Sequence, residues 1–441
     1  MKGLLFTYLL TYGGAVASLV NPYVGLLVYV CFAIIRPESL WHWSVEPGNY
    51  SRIVAIALLI GWAIHGFGNW RFGRARGVVI ALLAFWGWSV VGAVFADDQQ
   101  VAWDFVESKS KIFLPFLVGI TLIDSMPKLK QLAWVILLSQ GYVALEMNRA
   151  YLDGFNWVKE IGFGGMDNNC VAIGMVSAAG LAFFFGLHAE RWWAKLLALA
   201  AAALMAHVVF LSFSRGGMLA LLVTGGISFL LIPKRWGHYL LFALAVVVAL
   251  RMAGPEVWER FLSSFEEREE LDASAISRLE LWAACWDLML RYPLLGVGPD
   301  HFPQVVHEYG FPPGKHAHTL WLNVGAEQGF PGLAFLVLFF GLCAYRLWPL
   351  TKENRPAADP WLRHAARMVI ASLVGFAVAG QFVALLGIEL PYYIALLGVA
   401  TLKEASQPSA RSALVLHPAA DDGTPSVPRI HPGLPPPSFE G

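Results

Sequence analysis

The sequence predicts an all-α polytopic membrane protein of about twelve transmembrane helices, with one large, partly helical loop on the side away from the cytoplasm. Three observations predict it. Hydrophobic residues make up 57% of the 441 residues and charged residues only 14%, with a mean hydropathy of +0.57, outside the balance of water-soluble domains. Apolar stretches close to the ~20 residues that cross a bilayer recur along the chain. Basic residues fall in alternate connections between them. The formal net charge of zero, from 31 basic and 31 acidic residues, says little by itself, because distribution between loops is what orients a membrane protein.

Taken in order, Met1-Lys2 followed by Leu4 to Val20 has the look of a signal peptide, but the apolar pattern resumes at once without a small-residue cleavage site, so the segment is expected to stay in the membrane. Asn21-Pro22 divides the first apolar region, residues 3–36, into two pieces that cross once as half-helices or twice as short spans. Lys2 favours one crossing, which gives about twelve spans with both ends cytoplasmic; two crossings put the N-terminus outside. Further spans are expected at 52–67, 77–95, 105–123, 129–149, 168–187, 195–213, 215–232, 237–253, 330–348, 365–383 and 386–402.

Arg71/Arg74/Arg76, Lys128/Lys130, Arg191/Lys195, Lys234/Arg235 and Lys352/Arg355/Arg363/Arg367 occupy alternate loops, which the positive-inside rule makes cytoplasmic. Pro37–Tyr50, Ala96–Lys111, Tyr151–Asn168, the Ser214-Arg215 junction and the long loop then lie on the outer side. The chain divides into a transmembrane bundle over 1–253, a loop over 254–329, C-terminal helices over 330–402 and a Pro/Ser/Gly-rich tail over 403–441 expected to be disordered in the cytoplasm. The four cysteines, Cys31, Cys170, Cys285 and Cys343, show neither metal nor disulfide spacing and read as packing residues.

Chemistry that lipid forbids can be kept in a charged outer loop. Arg215, in Ser214-Arg215-Gly216-Gly217 at the outer membrane boundary, reads as a diphosphate clamp, because its planar fork suits bidentate phosphate contacts and two glycines permit close approach; alternatively it anchors a helix end. Arg278 opens an amphipathic stretch (Leu279, Leu281, Trp282, Trp286, Leu290) expected to lie on the outer surface, and faces substrate or solvent. His316 and His318 precede a helix that re-enters the membrane. A neutral imidazole there can take a proton from an attacking hydroxyl, and a structural histidine pair is the alternative. Two histidines at this spacing also suggest zinc, but no Cys or carboxylate cluster completes such a site, so no metal is expected.

Glu327-Gln328-Gly329-Phe330-Pro331-Gly332 reads as a helix break, with Glu327 a partner for an arginine or histidine. Lys159 and Asp167-Asn168-Asn169 can hydrogen-bond a sugar or cap the next helix, capping being the simpler reading. Lys109 and Lys111 can add charge to an anionic headgroup site or snorkel.

Ser-Arg-Gly-Gly at a membrane junction, Arg278 with Trp282, Pro293-x-x-Gly296-x-Gly298 with Phe302, then His318 and Glu327-x-Gly329, taken in this order, resemble the O-antigen ligase and polymerase superfamily over about Gly164 to Gly332. Pro22-Tyr23-Val24-Gly25 through Arg36-Pro37, with Asp167-Asn168-Asn169, further resembles the branch of exosortase-associated O-glycosylation ligases. The resemblance implies a metal-independent, inverting glycosyltransferase with a GT-C-like helical architecture in the bacterial inner membrane, its active site facing the periplasm. It implies His318 as the loop histidine, with His316 as alternative or helper, and Arg215 and Arg278 on the donor diphosphate. Lys111, Lys159, Asp167, Asn168 and Glu327 are further substrate-binding candidates. This chain departs at Thr319, where many members carry Asn.

The implied partners are a glycan on undecaprenyl diphosphate, a lipid A-core acceptor and membrane lipid, with no cofactor and no nucleic acid. A polymerase or a protein O-oligosaccharyltransferase would fit the same motifs with another acceptor. A transporter of the lipid-linked glycan would place polar or broken-helix residues at mid-membrane, where most spans here are apolar.

Overall fold

The computed structural model describes residues 2–232, 273–353, 359–384 and 387–407, with a few more between 236 and 251. The expected span 237–253, the first part of the long loop and the tail beyond 407 lie outside the described residues. Those residues fold as helices, with a single isolated bridge between Phe163 and Met166 and no strand. Among the described residues, seven helices are long and apolar enough to cross a membrane.

The first region is a helical hairpin. Helix α1 (Lys2–Val20), which holds a π turn at Leu9–Gly13, and α2 (Pro22–Ile35) meet at Asn21, whose side chain accepts a hydrogen bond from the Tyr23 N–H while Pro22 takes the first helical position. A Cβ on Gly3 would touch Trp41, one on Gly14 would touch Val28, and one on Gly25 would touch Ser18, so the two helices run antiparallel and pass through the bundle twice. The single crossing favoured by Lys2 is not what forms. Asn21-Pro22 reverses the chain, and small residues let the two helices close on each other.

Helices α3 (Tyr50–Ile64), α4 (Arg76–Val94), α5 (Gln99–Leu122), α6 (Met126–Leu152), α7 (Asn168–His188), α8 (Trp192–Leu211) and α9 (Arg215–Leu231) follow. The loop contributes α10 (Ala273–Arg291), and α11 (Leu320–Leu347), α12 (Pro360–Ala379) and α13 (Leu390–Glu404) complete the bundle. Helix α5 begins six residues before the expected 105, because Asp98 caps it by accepting from the N–H groups of Gln100 and Val101. Helix α11 begins at Leu320, not 330: the expected break is present, but inside the helix, at Gly329 with φ 69° and ψ −175°.

The core lies around α7 and α13. Helix α13 is apolar on all sides from Leu390 to Leu402 and buried throughout, as an all-round apolar helix must be. Its buried Lys403 is satisfied by donating to the carbonyls of Asn69 (3.2 Å) and Ile120 (2.6 Å). All four cysteines are free thiols, three of them buried.

Loops grouped by charge also meet in space. Arg346 donates to the Arg74 carbonyl, the Arg74 N–H to Ser406, and the His188 and His364 rings stack 3.5 Å apart, all within loops read as cytoplasmic. At the other end Arg36 donates to the Gly164 carbonyl, the Asp98 N–H to His301, and Asn168 to the Ser212 carbonyl. This second end carries the candidate site.

Candidate functional site

The floor of the site is built where α7 and α9 begin. Asp167 caps α7, its Oδ1 accepting from the Cys170 N–H at 2.8 Å, which is the capping expected of it. The neighbouring Asn168 does more than continue the helix: its Nδ2 donates to the Ser212 carbonyl at 2.7 Å, while Asn156 donates to Leu211. These bonds hold the turn at Phe213 (φ 54°), after which Ser214 caps α9 by accepting from the Gly217 N–H. Arg215 is thereby fixed as the first residue of α9, half-buried, beside the start of α7. Gly216 and Gly217 admit protein rather than ligand, since Cβ atoms there would lie 2.6 Å from Phe382 and 2.7 Å from Ala172. Lys159 rests its ammonium over the Phe213 ring, 5.0 Å from the centroid.

The roof has a small core of its own. Helix α10 turns Leu281, Cys285, Leu288 and Met289 inward against Phe302, Val306, Ala317 and Ala326. The expected apolar stripe is thus split, Leu281 facing inward while Leu279, Trp286 and Leu290 remain exposed together with Tyr292 and Leu294, an apolar outer face suited to a lipid surface. Trp282 lies 6.4 Å from Phe382, the same ring that abuts Gly216, so the helix bearing Arg278 reaches the start of α9.

Two motifs that are separate in sequence make one backbone joint. The N–H groups of Val297 and Gly298 donate to the carbonyls of Ala326 and Glu327 at 2.9 and 3.0 Å, and the Phe330 N–H donates to Pro293 at 2.9 Å. A break in a helix leaves backbone groups unpaired, and the 293–298 turn pairs them. Contact is too close for side chains: a Cβ at Gly296 would sit 2.3 Å from the Glu327 carbonyl carbon, and one at Gly329 would sit 2.2 Å from the Leu294 oxygen. Glu327, only 2% exposed, accepts from the Phe302 N–H at 3.4 Å, in place of the arginine or histidine expected as its partner. Gln328 is anchored to α4, accepting from Ser89 at 2.8 Å and, through its carbonyl, from Trp88 at 3.0 Å.

Between floor and roof the joint delivers His318, half-buried and in the left-handed region at φ 51°. Its electrostatic neighbours are Arg278, Lys315, Asp167 and His316. Burial, then the positive charges of Arg278 and Lys315, hold its pKa below the ordinary 6.5, so the ring is neutral at pH 7. Asp167 stays ionised below the usual range. Burial works against this, but the hydrogen bonds from Cys170 and Asn169 and the nearby His318 prevail. His316 is exposed and lies within electrostatic range of both Asp300 and His318. Thr319 is buried with its hydroxyl unpartnered, so here it caps nothing.

Of the residues singled out in the sequence, His318, His316, Arg278 and Asp167 converge, and Arg215 and Asn168 adjoin them through the α7–α9 junction. Lys111 stands apart in an exposed ion pair with Glu107, 2.8 Å away. Lys109 is the buried lysine, 9% exposed, and its charge faces Asp300, Glu327 and Glu389. Lys111→Ala is therefore expected to leave the thermal midpoint in detergent unchanged. Lys109→Ala strips the cation from three carboxylates and should lower that midpoint by several degrees.

Sequence reasoning missed Asp300 and His301. Asp300 sits at φ 61° facing Lys109, His316 and His301, and His301, 2% exposed, accepts from the Asp98 N–H through Nε2 and bonds the Pro299 carbonyl through Nδ1. Only their position directly after Gly298 hinted at them. Among the described residues no three His, Cys, Asp or Glu side chains gather to hold a metal ion.

Compared with known proteins, residues 200–337 match the family model described as O-antigen ligase. Residues 1–149 match a family of unknown function. No curated protein matches the chain.

Proposed function

We propose, from the match of residues 200–337 to the O-antigen ligase family model, that this chain is a glycosyltransferase-type enzyme, an O-antigen ligase of the bacterial inner membrane. It transfers a glycan from undecaprenyl diphosphate to a hydroxyl of the lipid A-core oligosaccharide on the periplasmic side. The observation that carries the reading is a neutral His318 beside Arg278, at an end of the bundle where helices α7, α9 and α11 all begin. Helix N-termini and arginines favour a diphosphate, and a neutral imidazole favours proton removal from an acceptor hydroxyl.

In the reaction, Arg215 and Arg278 hold the donor diphosphate and meet the charge that builds on the leaving group. The acceptor oxygen attacks the anomeric carbon as the bond to diphosphate breaks, and its proton passes to His318. Undecaprenyl diphosphate departs and the anomeric configuration inverts. Asp167 favours the imidazolium as it forms, and His316 assists at the rim.

Reconstitution with purified undecaprenyl-diphosphate glycan and lipid A-core tests this. Glycosylated core should appear; extension of a second lipid-linked repeat or of a peptide hydroxyl in its place would overturn the ligase assignment. In the same assay Arg215→Lys is expected to lose transfer at least about ten-fold, because a point charge cannot reproduce a bidentate fork. Normal transfer would leave Arg215 an anchor only.

A further inference from the structure

We propose that the end of α2 and the start of α3, with Glu389 ahead of α13, form a saccharide pocket that binds the acceptor, built on Arg36 and Glu389; this rests on the transfer reaction above. A cavity of about 170 Å³ is lined by Tyr29, Arg36, Glu38, Tyr50, Ser51 and Glu389. A smaller one of about 30 Å³ opens on the other side of the same pair, where Gln140 and Phe163 join the lining.

The lining is set rather than fluid. Arg36 is in the left-handed region (φ 45°) and donates to the Gly164 carbonyl, whose glycine leaves room for its side chain. The Tyr29 and Tyr50 hydroxyls are committed to the carbonyls of Lys111 and Glu46, so the rings are held in the cavity wall. Glu389 brings a half-buried carboxyl group to the wall of both cavities.

These groups select a class of ligand. Carboxylates accept from vicinal hydroxyls, a guanidinium donates to ring and hydroxyl oxygens, and tyrosine faces cover the C–H face of a sugar ring. Arg36 shares the lining with Glu38 and Glu389, so the pocket does not carry the cluster of cations that a diphosphate requires and is too polar for a lipid chain. A neutral, hydroxyl-rich saccharide fits.

The pocket also connects to the reacting histidine. Lys109 lies within electrostatic range of Glu389 and Asp300, Asp300 of His316, and His316 of His318. A sugar seated at Arg36 and Glu389 therefore lies on the same side of the bundle as a chain of charged groups that ends at the proposed base.

The test uses the full-length protein in nanodiscs and delipidated core oligosaccharide as the probe, with binding read by calorimetry. Wild type and His318→Ala should bind it alike, whereas Glu389→Gln and Glu38→Gln should weaken binding at least ten-fold. In transfer assays the two pocket variants should raise the acceptor KM and leave the donor KM unchanged. Glu38 is half-buried, so Glu38→Gln keeps the test valid where Glu389→Gln fails to fold. Core binding undiminished in Glu38→Gln, or absent in the wild type, would overturn the pocket. Failure of the transfer reading shows elsewhere, as full transfer by His318→Ala.

Discussion

His318→Ala is expected to reduce glycan transfer by about 10²–10⁴-fold, the range contributed by a positioned general base, while the protein still inserts and accumulates with bound donor. The loss should fall on kcat more than on the donor KM, because the ring acts on the acceptor proton and not on the diphosphate. The same residue sets an acid limit. Burial first, and Arg278 and Lys315 next, hold the His318 pKa below 6.5, so the neutral, base-competent ring persists as pH falls through the ordinary histidine range. Transfer by the wild type should hold at pH 6.5 and decline only below it. Arg278→Gln removes one depressing charge, so its remaining activity should decline at a higher pH than in the wild type. A profile measured at saturating donor checks this: an unmoved acid limb in Arg278→Gln would separate the two residues, and full activity in His318→Ala would remove the base altogether.

Gly329→Ala is expected to be a severely damaging single methyl group. Its backbone (φ 69°, ψ −175°) lies where essentially only glycine is found, so alanine costs about 1–3 kcal/mol from conformation alone. The added Cβ would also stand 2.2 Å from the Leu294 oxygen, which belongs to backbone and cannot swing aside. The 293–298 turn must then leave the break, unpairing the donors of Val297, Gly298 and Phe330 and releasing the support beneath Phe302 and Glu327. Expected results are a thermal midpoint in detergent lowered by several degrees and transfer lost together with it. Gly225, with nothing within 4 Å of its Cβ position, is the control, since alanine there should be tolerated. A Gly329→Ala protein as stable and active as wild type would mean that the joint is not needed.

Much of the architecture was legible because hydropathy acts locally. Helices α4, α7, α8 and α9 begin and end within a few residues of the expected spans, since the length of an apolar run sets the length of a crossing helix. Charge alternation anticipated which loops would meet, and Arg74 with Arg346 and Asn168 with Ser212 follow it. Departures occur where a contact distant in sequence decides. Lys109 and Lys111 are two residues apart on one helix and look alike as letters, yet one is buried against three carboxylates and the other pairs with Glu107 in the open. A helix rotation of about 200° separates two such positions, and only the neighbours fix which one faces inward.

By itself, then, the sequence determined the membrane character and most of the helix bounds, and it singled out Arg215, Arg278 and His318. Tertiary structure alone decided that residues 2–35 form a hairpin, that the glycines of 296 and 329 close one joint, and that Asp300, His301 and Lys109 stand behind the histidines. The reason is physical. Transfer from water to lipid is a property of each segment and can be summed along the chain, whereas close approach of two backbones depends on partners tens of residues apart, whose pairing no local pattern encodes.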